Sequence, residues 1–398
     1  MKFSKNVELA YCTNVHRGNT WTETFDSLER YVLAVKKKVS PQERFAIGLR
    51  LSAGAAKELS DQKQLFLFQK WLEEKDCYVF TINGFPYGNF HGQRVKENVY
   101  RPDWSEEERL SYTIMLFELL EKLLQPGEEG SVSTLPGSFK EFVPEDPSYH
   151  TAICDNMLRC SDEIERIKAA KNLDLHLGLE PEPLGLFETT PETVSFFNRL
   201  RERAGARENF SQNIGVNYDC CHLAVEFEDP AAGLNHLVES GIRLSKLHLS
   251  SALRVSPSQQ NLKALNGFVE EVYLHQVVIG KEGKVTHRYK DLDLALASTH
   301  SSELSRGDEW RIHFHVPLHS SPGNGMKDTS EHVRKTLDWL SQNSAKCSHL
   351  EMETYTWEVL PSNLRSLSVV EQVAEEYFWT IKALKKRGFT PTDRTQTT

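Results

Sequence analysis

Four ionisable side chains stand at the ends of four successive short apolar segments in the second half of the chain. They are Glu180, Asp219, His248 and Glu353. Taken alone, a glutamate at such a position is typical of a helix cap or a surface charge, and a lone histidine of a hydrogen-bonded core residue. Four in ordered succession offer the oxygen and nitrogen donors that divalent cations such as Zn²⁺, Mn²⁺ or Mg²⁺ take. Buried together without a cation, they would leave several like charges close together. The pattern therefore predicts a shared metal site.

Neighbouring residues extend this set. His222 follows Asp219 by three positions, and it either ligates the metal or holds Asp219 from behind. Glu351 and Glu353 share one face of a strand, and we favour Glu353 because it is nearer the strand end. Glu182 belongs to a Glu-Pro-Glu-Pro segment typical of a ligand-bearing loop, or it is simply solvated.

A histidine-rich interval lies further along the chain. His275 and His315 are alternative ligands or groups behind the ligands. His313 and His315 alternate on one face of a predicted strand. This face belongs either to the site or to a solvent-exposed sheet.

The segment 83–104 interleaves aromatic and basic residues after a predicted strand. Its glycines and prolines forbid a regular helix over the first part. It is either a lid that stacks on a ring and clamps an anionic group, or a packed surface loop whose aromatic side chains cover the end of the strands. As a lid, its candidate substrate contacts are Tyr87, His91, Arg94, Lys96 and Arg101.

The first strand ends in a polar segment, residues 11–18. This segment places Asn14 and His16 at the same edge as the other candidates. Both are candidate substrate contacts, although His16 is equally suited to capping a loop.

The elements that must position these residues alternate between strands and helices. Such alternation indicates βαβ units and a parallel sheet, and eight repeats favour a closed (β/α)8 TIM barrel whose active site lies at the carboxyl ends of the strands. The predicted strands are 8–13, 45–51, 78–82, 131–134, 174–180, 213–219, 243–249 and 349–354. The predicted helices are 21–39, 53–74, 105–124, 149–172, 191–206, 229–240, 330–343 and 366–386.

Two further strand-like runs, 272–278 and 311–316, exceed the count of eight. We interpret them as part of an insert over about 250–348, before the last barrel strand. Alternatively, 311–316 is itself a barrel strand. The predicted organisation is one barrel domain over 1–387, including the insert, and a disordered tail over 388–398.

Composition narrows the function classes. The chain has 398 residues and a formal net charge of −9, with no basic block, which argues against binding of nucleic acid. No apolar run is long enough for a transmembrane helix, and no signal peptide is evident. Seven scattered cysteines fit reduced thiols and predict a cytoplasmic protein. Neither a GxGxxG nor a GxxxxGK[ST] loop is present, which argues against a nucleotide cofactor.

The order Glu180, Asp219-x-x-His222, His248, Glu353 resembles the xylose isomerase-like TIM-barrel superfamily of sugar isomerases, epimerases and endonuclease IV-like enzymes. Longer phrases resemble the EboE-like metabolite traffic protein family over about residues 8–386. They are YCTNVHRGNTW, NGFPYGNFHGQRVKENVYRPDW, SVSTLPGSFK, LGLEPEP, NYDCCH and LEMETYTWEVLP. That family is encoded with a membrane protein in clusters linked to the export of small metabolites.

The superfamily resemblance implies that Glu180, Asp219, His248 and Glu353 bind a divalent metal (Zn, Mn or Mg). It also implies that Glu180 and Glu353 act as a catalytic acid/base pair. The chain departs from the superfamily where Ser250-Ser251 replace the usual Lys-Asp after the metal-binding histidine.

Three functions follow as hypotheses. The first is a metal-dependent sugar or sugar phosphate isomerase or epimerase that handles a small polar metabolite in connection with its transport. The second is a metabolite-binding module without turnover that works with a membrane partner. The third, an abasic-site endonuclease, is disfavoured by the negative charge.

Overall fold

The computed structural model describes residues 1–92, 94–169, 171–207, 209–298, 308–319, 322–323, 325–361 and 365–392. Fourteen strands are present in these ranges. They are β1 (Lys2–Phe3), β2 (Val7–Cys12), β3 (Phe45–Arg50), β4 (Cys77–Asn83), β5 (Glu129–Thr134), β6 (Asp174–Leu179), β7 (Ile214–Asp219), β8 (Arg243–Leu249), β9 (Ala252–Val255), β10 (Val277–Lys281), β11 (Lys284–Tyr289), β12 (Glu309–His315), β13 (Met326–Asp328) and β14 (His349–Met352).

Fourteen α-helices connect or flank these strands within the described residues. They are α1 (Trp21–Ser27), α2 (Leu33–Val39), α3 (Ala53–Leu59), α4 (Gln62–Glu74), α5 (Glu107–Leu123), α6 (Pro147–Ala169), α7 (Thr190–Ala204), α8 (Phe210–Asn213), α9 (Cys220–Val225), α10 (Pro230–Glu239), α11 (Gln259–Leu265), α12 (Leu292–Ser298), α13 (Ser330–Gln342) and α14 (Val369–Lys385). A π-helical turn over Leu28–Val32 joins α1 to α2.

Eight parallel strands close into the barrel that the sequence predicts. Their order is β2, β3, β4, β5, β6, β7, β8 and β14, and β14 pairs in parallel with both β8 and β2 to complete the ring. All eight predicted strands are confirmed, with end points that differ by at most two residues. The strands are buried along almost their whole length because helices cover the outside, as is typical of parallel sheets.

Local sequence fixes where the helices begin. Thr20, Thr189 and Ser368 each accept a hydrogen bond from the backbone N–H of a glutamate three residues later, and that glutamate side chain accepts one from the cap in return. Such capping boxes satisfy N–H groups that would otherwise lack partners.

The stretch between β8 and α13 forms a second, antiparallel sheet in the order β11-β10-β12-β9-β13. The run 311–316 lies in β12 of this sheet, so its alternative interpretation as a barrel strand is wrong. The strand expected over 272–278 begins only at Val277. The second sheet packs α11 and α12 around an apolar cluster of its own, which includes Leu253, Ile312 and Phe314.

The chain end departs from the predicted tail. Phe389 is fully buried, and Ser4 donates a backbone hydrogen bond of 2.8 Å to Thr390. Residues up to 392 therefore pack beside β1, because the Phe389 side chain is buried in the main apolar core. Residues 393–398 lie outside the described part of the chain. No helix among the described residues is both long and apolar enough to cross a lipid bilayer.

Candidate metal centre

Strand register brings the predicted ligands to one edge of the barrel. Asp219 at the end of β7 is the register partner of His248 in β8, and His248 is in turn the partner of Glu351 in β14. Glu180 directly follows β6, and Glu353 directly follows β14. Parallel strands end at the same edge, which is why these residues meet despite long separations in sequence.

The four predicted ligands form a compact, buried cluster. His248 Nδ1 lies 3.1 Å from Glu180 Oε1, 3.5 Å from Asp219 Oδ2 and 3.0 Å from Glu353 Oε2. One donor atom from each residue lies within 4.8 Å of the others, and all four residues are at most 5% exposed. Three carboxylates thus converge on one imidazole nitrogen.

A second layer of polar groups holds His248 in this orientation. Its Nε2 lies 3.1 Å from Glu351 Oε2, so that Nδ1 faces the three carboxylates. Lys246 Nζ donates to Glu351 Oε2 at 2.7 Å, and Asn83 Nδ2 donates to Glu351 Oε1 at 2.8 Å. Burial alone would raise the pKa of Glu351, but Lys246 and His248 outweigh burial and lower it to about 2. Glu351 is therefore a positioning residue rather than a fifth ligand.

The donor set fits a divalent cation. Asp219 Oδ1 accepts hydrogen bonds from the His222 backbone N–H and from Ser250 Oγ, whereas the buried Oδ2 has no hydrogen-bond partner. An unpartnered buried carboxylate oxygen is costly unless a cation satisfies it. Burial would raise the pKa of Asp219, but the charge of His222, followed by the neighbouring His248, places it below its usual value. Burial would also lower the pKa of His248, but the charge of Glu353, followed by Glu180 and Asp219, raises it above its usual value. A cation would replace the proton that His248 holds among these carboxylates.

A second cluster adjoins the first. Donor atoms of Glu182, His222 and His313 lie within 4.8 Å of one another, as do those of Asp219, His222 and His315. His313 Nδ1 is 2.8 Å from Gln276 Oε1, and His315 Nδ1 is 2.8 Å from the Glu353 carbonyl oxygen.

Each of these contacts places the ring proton on Nδ1 and leaves a lone pair on Nε2, which has no partner in either histidine. Burial lowers the pKa of both His313 and His315, which keeps the rings neutral as ligands must be. This cluster could therefore hold a second ion. It assigns His313 and His315 to the site rather than to a solvent-exposed sheet.

A narrow cavity with a volume of about 70 Å³ lies above the first cluster. Polar residues at the strand ends form its floor. The loop after β4, the segment before β10 and the turn after β14 form its roof. The roof residues are Phe85, Pro86, Phe90, Val95, Lys96, Val99, Tyr100, Tyr273, Leu274 and Tyr355.

The basic residues predicted to clamp an anion do not face this cavity as free charges. Arg94 and Arg101 are more than half exposed and lie beside Glu271 and Glu106. Lys96 lines the cavity, but its ammonium is bound to Asp291 at 2.6 Å. The loop thus fastens the inserted sheet to the barrel, because Lys96 pairs with a residue of that insert.

Other predicted contacts of this loop also serve packing. The His91 ring is fixed by the Asn14 carbonyl oxygen at 2.7 Å and by the Tyr273 hydroxyl at 2.5 Å. Tyr87 packs edge-on against Tyr112 rather than lining the cavity.

The remaining predicted site residues, two from the first-strand segment and one from the insert, differ in whether they reach the cavity. Asn14 lines the cavity and donates a 2.5 Å hydrogen bond to Glu353 Oε1. His16 is buried against Tyr11, whose hydroxyl lies 2.6 Å from it. His275 is held by Glu270 at 2.8 Å and by the His313 carbonyl oxygen at 3.0 Å, and it belongs to none of the possible ligand groups among the described residues.

Sequence reasoning missed Lys246 and the role of Glu351. A signal was present, because Lys246 precedes His248 by two residues and Glu351 precedes Glu353 by two. Residues two apart share a strand face, so both had to point into the barrel beneath the ligands.

No family model and no curated protein matches the chain. Solved structures match over nearly the full length. A xylose isomerase-like TIM barrel protein from Mycobacterium smegmatis, in complex with magnesium, has 12% identity and a TM-score of 0.53, covering 97% of this chain and 99% of that chain. L-ribulose 3-epimerase has 12% identity and a TM-score of 0.49, covering 98% and 96%. The IOLI protein with a binding zinc atom has 12% identity and a TM-score of 0.46, covering 96% and 99%. The fold is therefore a xylose isomerase-like TIM barrel, and its structural neighbours include sugar epimerases and metal-bound proteins.

Proposed function

We propose that this protein is a metal-dependent isomerase or epimerase of a small hydroxyketone, with the cation held by Glu180, Asp219, His248 and Glu353. The observation that carries the proposal is the buried Asp219 Oδ2, which faces the cluster without a hydrogen-bond partner. The sugar epimerases among the structural neighbours support the same reaction class.

When bound, a divalent ion would hold two adjacent substrate oxygens and stabilise the negative charge that develops on one of them. The chain's own groups would move the proton. Glu180 and Glu353 both belong to the cluster. For epimerisation, one carboxylate would accept the proton from the carbon beside the carbonyl, and the other, in its protonated form, would donate a proton to the opposite face. Asn14 fixes Glu353 through Oε1, which leaves Oε2 directed at the cluster.

Metal analysis tests the cation site. Protein purified without chelator should carry about one equivalent or more of a divalent metal, and Asp219→Asn should lose most of it. Glu129→Gln is the matched control, since Glu129 lies with His176 and His349 in another possible ligand group at the other end of the strands. Arg243 already neutralises Glu129 at 2.8 Å, so this variant should keep its metal. Less than about 0.2 equivalents in the parent protein, with no gain on reconstitution, would refute the site.

Proton exchange tests the chemistry. In deuterated water, the metal-loaded protein should introduce deuterium beside the carbonyl of a hydroxyketone, followed by NMR across a panel of ketoses and substituted hydroxyketones. Glu180→Gln and Glu353→Gln should lower the rate per bound metal by 100-fold or more, which is the usual contribution of general acid/base catalysis. Full metal binding without exchange on any panel member would favour the binding-module hypothesis.

Membership of the EboE-like family and a link to metabolite export with a membrane partner rest on the sequence resemblance alone, and they stay predictions. Export measured in cells that carry Glu180→Gln would test the link to catalysis. Unchanged export would separate the transport role from turnover.

A further inference from the structure

One tyrosine hydroxyl in the cavity wall is buried without a hydrogen-bond partner. Tyr100 is 1% exposed and lines the cavity, and its hydroxyl has no partner among the described residues. Buried tyrosine hydroxyls usually find a partner, because an unmade hydrogen bond in the protein interior is costly. Most other buried tyrosines of this chain follow that rule, as in the pairs Tyr11–His16, Tyr218–His332 and Tyr273–His91. The free hydroxyl of Tyr100 at the cavity wall therefore needs a cause.

The Tyr100 ring is held in place by its surroundings. Tyr100 ends a short 3₁₀ turn over Lys96–Tyr100, and its ring packs against Phe85 and Phe139, with ring centroids 5.5 Å and 4.7 Å away. The turn is also fastened to the insert, because its lysine ammonium binds a carboxylate there at 2.6 Å. The direction of the hydroxyl is therefore fixed before any ligand enters, which lowers the entropic cost of binding.

A free hydrogen-bond acceptor lies near this hydroxyl. Glu182 is 5% exposed and lines the same cavity, and its Oε1 has no hydrogen-bond partner among the described residues. Burial raises the pKa of the Tyr100 hydroxyl, and the charge of Glu182 is the next largest cause. The two side chains are thus close enough to interact, although no hydrogen bond joins Oε1 to the hydroxyl.

These two free atoms define the chemistry of the group that would satisfy both. An ionised carboxylate only accepts hydrogen bonds, whereas a phenol also donates one. A hydroxyl group offers a lone pair for the phenol and a hydrogen for the carboxylate. A carbonyl or ether oxygen would leave Glu182 without a donor, and an ammonium group would offer the Tyr100 hydrogen no acceptor. A hydroxyl group therefore matches the pair best.

We propose that Tyr100 and Glu182 together bind a hydroxyl group of the substrate, separate from the two adjacent oxygens that the cation would hold. The Tyr100 O–H donates to the oxygen of this hydroxyl, and Glu182 Oε1 accepts its hydrogen. The inference rests on the proposed function, because the cation would fix the other end of the substrate. The two residues determine specificity and take no part in the proton transfer.

Hydroxamic acids that share one carbon skeleton test this subsite by calorimetry, because their two adjacent oxygens chelate a metal ion. The protein carries one equivalent of Mn²⁺, which favours the carboxylate-rich first cluster over the histidine-rich second cluster. Butanohydroxamic acid has a bare chain, erythronohydroxamic and threonohydroxamic acid add three hydroxyls, and 4-aminobutanohydroxamic acid adds an ammonium group. We expect the tighter of the two trihydroxy probes to bind at least tenfold more tightly than butanohydroxamic acid, and the amino probe to gain less than threefold.

A matched pair of tyrosine variants locates the effect. Tyr100→Phe should lower the affinity ratio of the trihydroxy probe to butanohydroxamic acid at least fivefold, with the affinity of butanohydroxamic acid itself unchanged. Tyr377→Phe removes another buried hydroxyl without a partner, in the apolar core outside the cavity, and should leave the ratio unaltered. If Tyr100→Phe does not fold, Glu182→Met takes its place as the test, because it removes the acceptor for the same hydroxyl and should lower the ratio by a similar factor.

The outcomes separate the two claims. If none of the hydroxamic acids binds, the proposed metal centre fails and this inference falls with it. If butanohydroxamic acid binds but the hydroxyls add less than tenfold, or if the amino probe gains threefold or more, the inference alone is overturned. It is overturned as well if Tyr100→Phe lowers the ratio by less than fivefold, or if Tyr377→Phe lowers it as much as Tyr100→Phe does.

Discussion

Substitution of Lys246 by Met removes a buried positive charge beneath the candidate metal centre while keeping a side chain of similar length. Lys246 and Glu351 are both at most 1% exposed, and their charged atoms are 2.7 Å apart. Without the ammonium, the Glu351 carboxylate would remain buried near three other carboxylates. Removal of one partner from a buried ion pair is strongly destabilising for this reason.

The size of the effect follows from the pKa of Glu351, which falls from 4.5 to about 2, with Lys246 as its largest favourable partner. At about 1.4 kcal/mol for each pKa unit, this corresponds to roughly 3 kcal/mol of folding free energy at neutral pH. Because the pKa of the folded state is depressed, the stabilisation is present above pH 4.5 and is lost as the pH falls towards 2. The difference between parent and variant should shrink over that same interval.

Urea unfolding of the metal-free protein, followed by tryptophan fluorescence at pH 7 and pH 3.5, measures both quantities. The double variant Lys246→Met/Glu351→Leu serves as the control, since replacement of both members of a buried pair by apolar groups is often neutral. A loss below about 0.5 kcal/mol at pH 7 for Lys246→Met, or a double variant no more stable than the single one, would refute the reasoning.

Further predictions concern other buried groups and the loop. Burial raises the pKa of Glu376 to about 7, so the folded protein keeps this proton at pH values where the unfolded chain loses it. The free energy of unfolding is therefore highest below pH 4.5 and falls as the pH rises through 7. Glu376→Gln should raise the free energy of unfolding by up to about 3 kcal/mol at pH 8 and leave it unchanged below pH 4.5, as thermal melts at both pH values would show. A Cβ at Gly48 would lie 1.7 Å from Glu351 Oε1, so Gly48→Ala should cost roughly 1–3 kcal/mol and weaken metal binding, whereas an unchanged metal content would contradict the positioning role of Glu351. Arg94→Ala and Arg101→Ala should change the dissociation constant of fructose 6-phosphate by less than twofold, because both side chains are more than half exposed to solvent. A larger loss of affinity would support the anion-clamp hypothesis for this loop.

The barrel was predictable because the alternation of strands and helices shows in the local hydrophobic pattern. The convergence of the four candidate ligands was predictable in turn, since parallel strands end at one edge of the barrel. Glu353 could be preferred over Glu351 from its place nearer the strand end, and the structure directs Glu353 to the cluster and Glu351 to His248 Nε2. Local pattern and topology together were sufficient there.

The loop contacts were not predictable, because their partners are distant in sequence. Lys96 had the composition of an anion clamp, yet Asp291 and the Glu270 carbonyl oxygen occupy its ammonium from the insert. Likewise, no local feature shows that β12 returns His313 and His315 to the barrel mouth. The side of the inserted sheet that meets the barrel is fixed by long-range packing alone.

The two-part construction of the cavity has a consequence for how this protein could change. Under the proposed function, the floor would select the bond that reacts, and its residues follow strands spread around the barrel. Much of the roof, which would select the molecule that enters, comes from two short continuous segments, 85–100 and 273–276. Substitutions within those segments would then change substrate choice while the candidate reactive groups stay where they are. By contrast, His313 of the insert lines the cavity beside the candidate ligands, so replacement of the whole inserted sheet would alter reaction and recognition together.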